Sequence, residues 1–337
     1  MGAASFVVVV CLRTHRGHMD TLRIIVQRLV TIFVVVAVAT FFLACLIRLL
    51  PGDPASIMVS NALPDQVLNI RRISGLDKNV FGYWWQWFSN MMTGDFGYYY
   101  QAAGNNPVSD VLKRSIPTSI LMVVYVQIVA LLVSVPLGLV SAYKEGTRFD
   151  RILQSVLFVL SSIPSFALAL VFSLFFALRW PILPPLGYAT PGEDIVLHIK
   201  YMILPVASLS VGIIASYTRL LRADVIATLK EDYVMMAMSK GISNSRVLWK
   251  HVLRPSSTTL LTSAALNMGA LIGGTIVIET LFQIPGLGYE IAFAIVTRQV
   301  IALQTLIALV AFAYVFFNST VDIVANIIDP RTRERRA

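Results

Sequence analysis

Charge is what this sequence has least of. Of 337 residues only 13% are Asp, Glu, Lys or Arg, while 57% are hydrophobic, and the mean hydropathy is +0.74. A soluble domain carries about 25% charged residues. A soluble globular enzyme, a disordered chain and a fibrous protein are therefore excluded. Cysteine is nearly absent too. Cys11 and Cys45 are too few for a disulfide framework, and neither has metal-site spacing. Histidine is scarce and scattered (His15, His18, His198, His251), with no HExxH. The phosphate-cradling GxxxxGK[ST] loop is missing, as is any nucleophile–base pair or paired acid–base carboxylates. The expectation is a non-enzymatic chain with no catalytic residue, cofactor or metal of its own. Any energy from ATP must then come from a separate subunit.

What the sequence does have is long apolar runs. A hydrocarbon core of roughly 30 Å needs about 20 helical residues. Six stretches meet this: Leu29–Leu49, Thr118–Tyr143, Ile152–Leu178, Tyr201–Leu221, Thr259–Leu281 and Leu303–Ile327. The runs are continuous rather than alternating, which excludes barrel strands. The fold class is an all-α membrane protein with six transmembrane helices over residues 29–327. A cytoplasmic N-terminus (1–28) and a basic tail (328–337) flank them. Pro136, Pro164 and Pro205 fall inside three of the runs, where a neighbouring helix or a water-lined cavity must satisfy the freed carbonyls.

Basic residues set the orientation. Eighteen of the 27 Lys and Arg lie on the side of the termini and eight on the other, with Arg48 inside the first run. Both termini are thus expected in the cytoplasm, on a side that is net +10. The overall charge of +9 is an orientation signal that requires no nucleic-acid partner. Ser5–Leu12 is too short to span, and Met19 is the expected translation start. Phe42-Leu43-Ala44-Cys45 nearly matches a lipoprotein cleavage site, but five further spans favour a retained signal anchor.

Two loops are informative. The outer loop of about residues 51–116 is rich in turns and carries Tyr83-Trp84-Trp85-Gln86-Trp87-Phe88. We read that cluster as a short helix at the membrane–water boundary, with a ligand-stacking platform as the alternative. The cytoplasmic stretch Arg219–Arg254 reads helix, turn, helix. Gly241 closes the first helix in a left-handed conformation, Ser243 caps the second, and Pro255 ends or kinks it. Val247, Leu248, His251 and Val252 fall near one face. Such a helix suits either the bilayer surface or a groove in a soluble partner.

Lys230-Glu231-Asp232-Tyr233-Val234, Ala237, Ser239-Lys240-Gly241-Ile242-Ser243 and Lys250-His251-Val252-Leu253-Arg254 together resemble a known motif. It is the cytoplasmic coupling loop of ATP-binding-cassette importer permeases. Within these the match is to the B-type subunit of the dipeptide/oligopeptide (and nickel) family. Pro51-Gly52-Asp53-Pro54, Gly75-Leu76-Asp77, Gly94-Asp95-Phe96-Gly97 and Ser162-Ile163-Pro164-Ser165-Phe166 agree, as does Glu279-Thr280-Leu281-Phe282-Gln283-Ile284-Pro285-Gly286-Leu287-Gly288. Asn318, Asp322 and Asp329-Pro330-Arg331 complete a resemblance running from about Leu22 to Arg331.

The resemblance implies the type I importer permease fold in the bacterial plasma membrane, as half of a path for peptides or similar solutes. It implies a second, C-type permease, two ABC ATPase subunits carrying ATP and Mg²⁺, and an extracytoplasmic substrate-binding protein as partners. On the coupling loop, about residues 223–255, it points to Ala237, Lys240, Gly241, Ile242, Val247, Leu248 and His251 as ATPase contacts. Ser161, Ser162, Ser165, Asn267 and Thr275 are the polar candidates for lining the path. Met235 and Met238 stand where the family usually has arginine, and Pro255 where it commonly has asparagine.

Arg48, Glu279 and Asp322 are ionisable residues near span ends, expected as structural contacts rather than a proton relay. Gly269 and Gly273 form a GxxxG packing seam. An ion-gradient-driven transporter or a membrane scaffold are the alternatives. The first calls for midplane carboxylates and an internal repeat. The second would not require the helix–Gly–helix loop.

Overall fold

The structure is a computed structural model that describes residues 3–49, 52–59, 63–101 and 104–328. Pro51, Asp329, Pro330 and Arg331 lie outside the described residues, as does the side chain of Asp322. Helix α1 (Ala3–Leu49) leads into an outer segment of three short helices, α2 (Pro54–Met58), α3 (Pro64–Ile73) and α4 (Val80–Met92). A hairpin of β1 (Tyr98–Gln101) and β2 (Gly104–Pro107) follows, with Tyr99 opposite Asn106. The chain then crosses in α5 (Val108–Tyr143), α6 (Arg148–Ser162), and α7 (Ser165–Phe172) with its π-helical extension Ser173–Arg179. The long α8 (Ile195–Leu229) leads to the short α9 (Asp232–Ser239). A helix beginning with α10 (Asn244–Arg246), π-helical over Val247–Val252, continues as α11 (Leu253–Gly274). The final elements are α12 (Ile276–Phe282), α13 (Leu287–Val296) and α14 (Val300–Ile328).

Among the described residues four helices are long and apolar enough to cross a membrane, or six crossings if each of two bent pairs counts as one. The bent pairs correct two expectations. The third run does not form one straight helix: α6 and the α7 segment meet at 98°. Pro164 has no N–H and crowds the residue before it, so Ile163 turns extended (φ −88°, ψ 125°) and ends α6. The fifth run bends by 52° at Thr275, between α11 and α12. Pro117, Pro136 and Pro205, by contrast, stay inside unbroken helices. Pro255 does not end its helix either. The π-helical turn Val247–Val252 lies just before it, and the helix runs on to Gly274.

The aromatic cluster forms the expected helix but not the expected surface anchor. Tyr83, Trp84, Trp87 and Phe88 of α4 are buried against α1 and α14, leaving Phe81 and Trp85 exposed. Each polar edge finds a partner. Trp84 Nε1 donates to Thr40 Oγ1 (3.0 Å), Tyr83 Oη to Gln304 Oε1 (2.6 Å) and Trp87 Nε1 to Thr305 Oγ1 (3.2 Å). A buried aromatic with its polar atom satisfied stabilises far more than one resting at an interface. Arg48 donates to the carbonyls of Leu76 (2.9 Å) and Lys78, tying the end of α1 to the turn before α4. Gln299 closes the outer segment. Its Oε1 accepts from Tyr100 N, and its Nε2 donates to the carbonyls of Tyr100 and Met58. At the start of α2, burial opposes the charge on Asp53. The hydrogen-bonded ion pair with Arg71 (2.7 Å) and the Ser56 N–H nevertheless hold its carboxyl below the ordinary aspartate range.

Candidate functional site

The unit expected to be the coupling loop is built on α8, which over 35 residues is about 52 Å long, well beyond the hydrocarbon thickness. Its end turns through Lys230 into α9, and Gly241 (φ +74°) reverses the chain with open space around its Cα. That backbone conformation is the one an L side chain resists. Ser243 occupies the N-cap position of the next helix, but its side chain makes no capping bond. Ile242 is half-buried. Val234, Ala237, Val247 and Val252 are buried together against Leu139, Ala142 and Leu221 of α5 and α8. The apolar stripe read from the sequence therefore glues the unit to its own bundle.

The opposite face is open. Met235 (49% exposed), Met236 and Met238 (38%) project outward on α9, with Trp249 exposed on the next helix. Of the expected ATPase contacts, Lys240 and Gly241 are exposed, Leu248 and His251 half-exposed, and Ala237 and Val247 turned inward.

Behind this unit a clamp that sequence reasoning missed locks three elements. Asp150, buried at the start of α6, receives Nε and Nη2 of Arg222 on α8 at 2.8 and 2.7 Å. It also accepts from Ser141 Oγ of α5 (2.6 Å) and from Gly146 N (3.1 Å). A bidentate guanidinium–carboxylate pair fixes angle as well as distance.

At the other end of the bundle Glu279, fully buried on α12, holds the start of α13. Its carboxyl oxygens accept from Ser119 Oγ of α5 (2.7 Å), Gly288 N (2.6 Å) and Tyr289 N (3.3 Å). Ser119 Oγ in turn accepts from Leu287 N (2.8 Å). The carboxyl and hydroxyl thus satisfy three N–H groups that a helix start leaves unpaired. A Cβ on Gly286 would stand 2.6 Å from Ser119 Oγ and closer still to Glu279, and one on Gly288 would overlap Cα of Ile276. The motif Pro285-Gly286-Leu287-Gly288 is thereby explained: the glycines leave room for the carboxylate to reach backbone.

The path candidates separate. Thr275 is buried at the α11–α12 bend, within reach of Glu279. Asn267 lies beside the Tyr217 hydroxyl, which also meets Gln127 of α5 (3.0 Å). Ser161 and Ser162 bond the Phe158 carbonyl at the break of the third run, and Ser165 opens α7 beyond it. Of the GxxxG pair, Gly269 packs on Asn318 and the Tyr314 carbonyl, whereas Gly273 faces open space. His198 is buried, with Nδ1 2.7 Å from the Ala189 carbonyl and Nε2 3.2 Å from Tyr125 Oη. The described residues include no cluster that could hold a metal ion.

This arrangement of long apolar helices with a packed helix–Gly241–helix elbow accords with the comparisons. Residues 134–334 match the family model described as binding-protein-dependent transport system inner membrane component, and residues 21–123 match the model of its N-terminal region. The chain belongs to that family. It is a B-type permease of the peptide/nickel importer branch, with the type I importer permease fold. Among its relatives is a probable peptide ABC transporter permease of Sinorhizobium fredii, 32% identical over 310 residues, covering 92% of this chain and 98% of the relative. The oligopeptide transport system permease OppB of Haemophilus influenzae is 31% identical, covering 92% and 97%. The nickel import system permease NikB of Staphylococcus aureus is 26% identical, covering 94% and 93%.

Proposed function

We propose that this permease forms half of a peptide path in a bacterial inner membrane, crossing it six times with both termini in the cytoplasm. A C-type permease supplies the other half. Two ABC ATPases bind ATP and Mg²⁺ and hydrolyse it below, and a binding protein delivers cargo from outside. The observation that carries the reading is the α9–Gly241–helix elbow. It is fastened inward by Val234, Ala237, Val247 and Val252 and presents an outward face of Met235, Met238 and Lys240 to a soluble partner. Methionine gives such a face an adaptable, polarizable contact. Closure of the ATPases would push this elbow and rotate the bundle between outward- and inward-open states. Peptides are favoured as cargo because relatives in both Sinorhizobium and Haemophilus carry peptide or oligopeptide names.

The rival ion-driven reading finds no support in Glu279, whose carboxyl is committed to the α13 start. The test is uptake of trialanine by the complex reconstituted in vesicles with binding protein. Uptake requires the ATPases, and Met235→Arg with Met238→Arg alters peptide-stimulated ATP hydrolysis. Uptake that persists without the ATPases, or hydrolysis indifferent to both substitutions, overturns the proposal.

A further inference from the structure

Arg219 is unlike the other arginines of the crossing helices. It lies ten residues before the end of α8, about 15 Å above that end along the helix axis. Its Nε donates to the Ala215 carbonyl (3.2 Å) and its Nη2 to Ser161 Oγ (3.4 Å). A guanidinium has five N–H donors, so three remain unspent. Arg222, one turn on, is neutralised by Asp150, and Arg48 caps a turn through two carbonyls. The ion pairs among the described residues are Asp53–Arg71, Asp110–Lys113 and Asp150–Arg222, so Arg219 has no carboxylate there. A half-buried guanidinium with no counter-charge is costly unless water reaches it.

The surroundings show which side it faces. Helix α8 packs against α5, α6, α7 and α11, and its least covered line reads Gly212, Ser216, Arg219, Ala223, Ala227, of which Ser216, Ala223 and Ala227 are exposed and Gly212 and Arg219 half-buried. Exposed positions elsewhere look different: Ile195, Val196 and Ile199 at the start of the same helix, and Val156, Phe158 and Phe166 on α6 and α7, are bulky and apolar, as suits a surface in contact with lipid. The Arg219 line carries none of these bulky apolar groups. Ser161 holds the guanidinium where the third run is broken.

We propose that Arg219 is a cargo-binding residue of the path, taking the carboxylate of a passing solute, and that this selects C-terminal carboxylates of peptides over amides and cations. The paired, in-plane N–H groups of a guanidinium match the two oxygens of a carboxylate. This rests on the peptide-importer reading above and adds to it a residue and a chemical group. The contact is expected to be weak, since cargo must leave again.

The probes are trialanine and trialanine amide, applied without binding protein to the complete permease–ATPase complex in phosphatidylcholine nanodiscs. Binding is followed by saturation-transfer NMR. The wild-type complex is expected to favour the free acid by about ten- to a hundredfold, the range of a charge-assisted pair, and Arg219→Gln to bring the two probes level. Should that variant not assemble, Ala223→Glu places a competing carboxylate one turn away on the same line. It is expected to suppress the acid preference, while Ala223→Gln keeps it. An unchanged preference in Arg219→Gln or Ala223→Glu overturns the inference. So does a preference that appears only when phosphatidylglycerol is added, which assigns the guanidinium to a lipid phosphate. ATP-driven trialanine uptake by the wild type separates the two levels. Absent uptake sinks the peptide reading itself, whereas normal uptake with an unchanged preference sinks this inference alone.

Discussion

Replacing Glu279 by alanine tests whether the outer clamp holds the bundle together. The substitution removes the acceptor of the Ser119 hydroxyl and of the Gly288 and Tyr289 N–H groups. A buried donor left without a partner costs about 1–3 kcal/mol. Tyr289 is partly exposed and its bond is long, so the two buried donors set the loss, expected at about 2–6 kcal/mol. For a chain of this size that corresponds to a fall in Tm on the order of 10 °C.

Glu279→Gln is the informative companion. Its carbonyl oxygen still accepts from Gly288, and its NH₂ meets Ser119 Oγ, which has a lone pair to offer beyond the one Leu287 N uses. What disappears is the charge at a helix start, worth about 0.3–2 kcal/mol. The expected order of stability is therefore wild type, then glutamine slightly lower, then alanine far lower. The assay is thermal unfolding of the purified complex followed by size-exclusion chromatography. A neutral alanine variant, or glutamine as damaging as alanine, refutes the reasoning that hydrogen-bond acceptance at the α13 start is what the carboxyl supplies.

Asp150→Asn leaves Arg222 facing a neutral partner at a buried site and is expected to destabilise by about 2–4 kcal/mol. Arg222→Met with Asp150→Leu should recover part of that in the same unfolding assay. Tyr83→Phe removes the donor to Gln304 and is expected to lower stability by about 1–2 kcal/mol without touching peptide-stimulated ATP hydrolysis. Gly241→Ala forces a side chain into left-handed backbone at about 1 kcal/mol. Open space lets it fold, so the loss should appear in coupling, as uptake per ATP hydrolysed, more than in Tm.

The crossing helices were legible because apolar runs of 20 residues leave few options, and the left-handed turn at Gly241 followed from its place between two polar–apolar periodic segments. Proline was not legible. Pro136 and Pro205 lie within α5 and α8, which pack along one another and so tolerate a missing N–H. Pro164 stands where such support ends, and the run breaks. The aromatic run misled for a related reason. Its composition suits a membrane surface and a buried seam equally, and the decision lies with Thr40, Gln304 and Thr305, the latter two more than 200 residues along the chain. The coupling stripe shows the same limit. Periodicity identified Val247 and Val252 as one face, but whether that face meets a partner or its own bundle depends on Leu139, Ala142 and Leu221.

The two clamps together explain how a push at the elbow can act at the far side. Asp150 joins α5, α6 and α8 at the end of the bundle that carries α9, and Ser119 with Glu279 joins α5, α12 and α13 at the other. Helix α5 belongs to both and packs along α8 for much of its length. On the coupling proposed above, a force on α9 would pass to α8, be shared with α5 through the Arg222–Asp150–Ser141 bonds, and reach α13 through Ser119. The helix axis changes direction at Pro164, after α6, and at Thr275, which adjoins the Glu279 clamp. Domain rotations use such discrete hinges between packed blocks because packed cores do not deform continuously. The scarcity of charge noted in the sequence then has a mechanical meaning. Asp150 and Glu279, two of the few buried ionisable side chains, stand toward the two ends of α5.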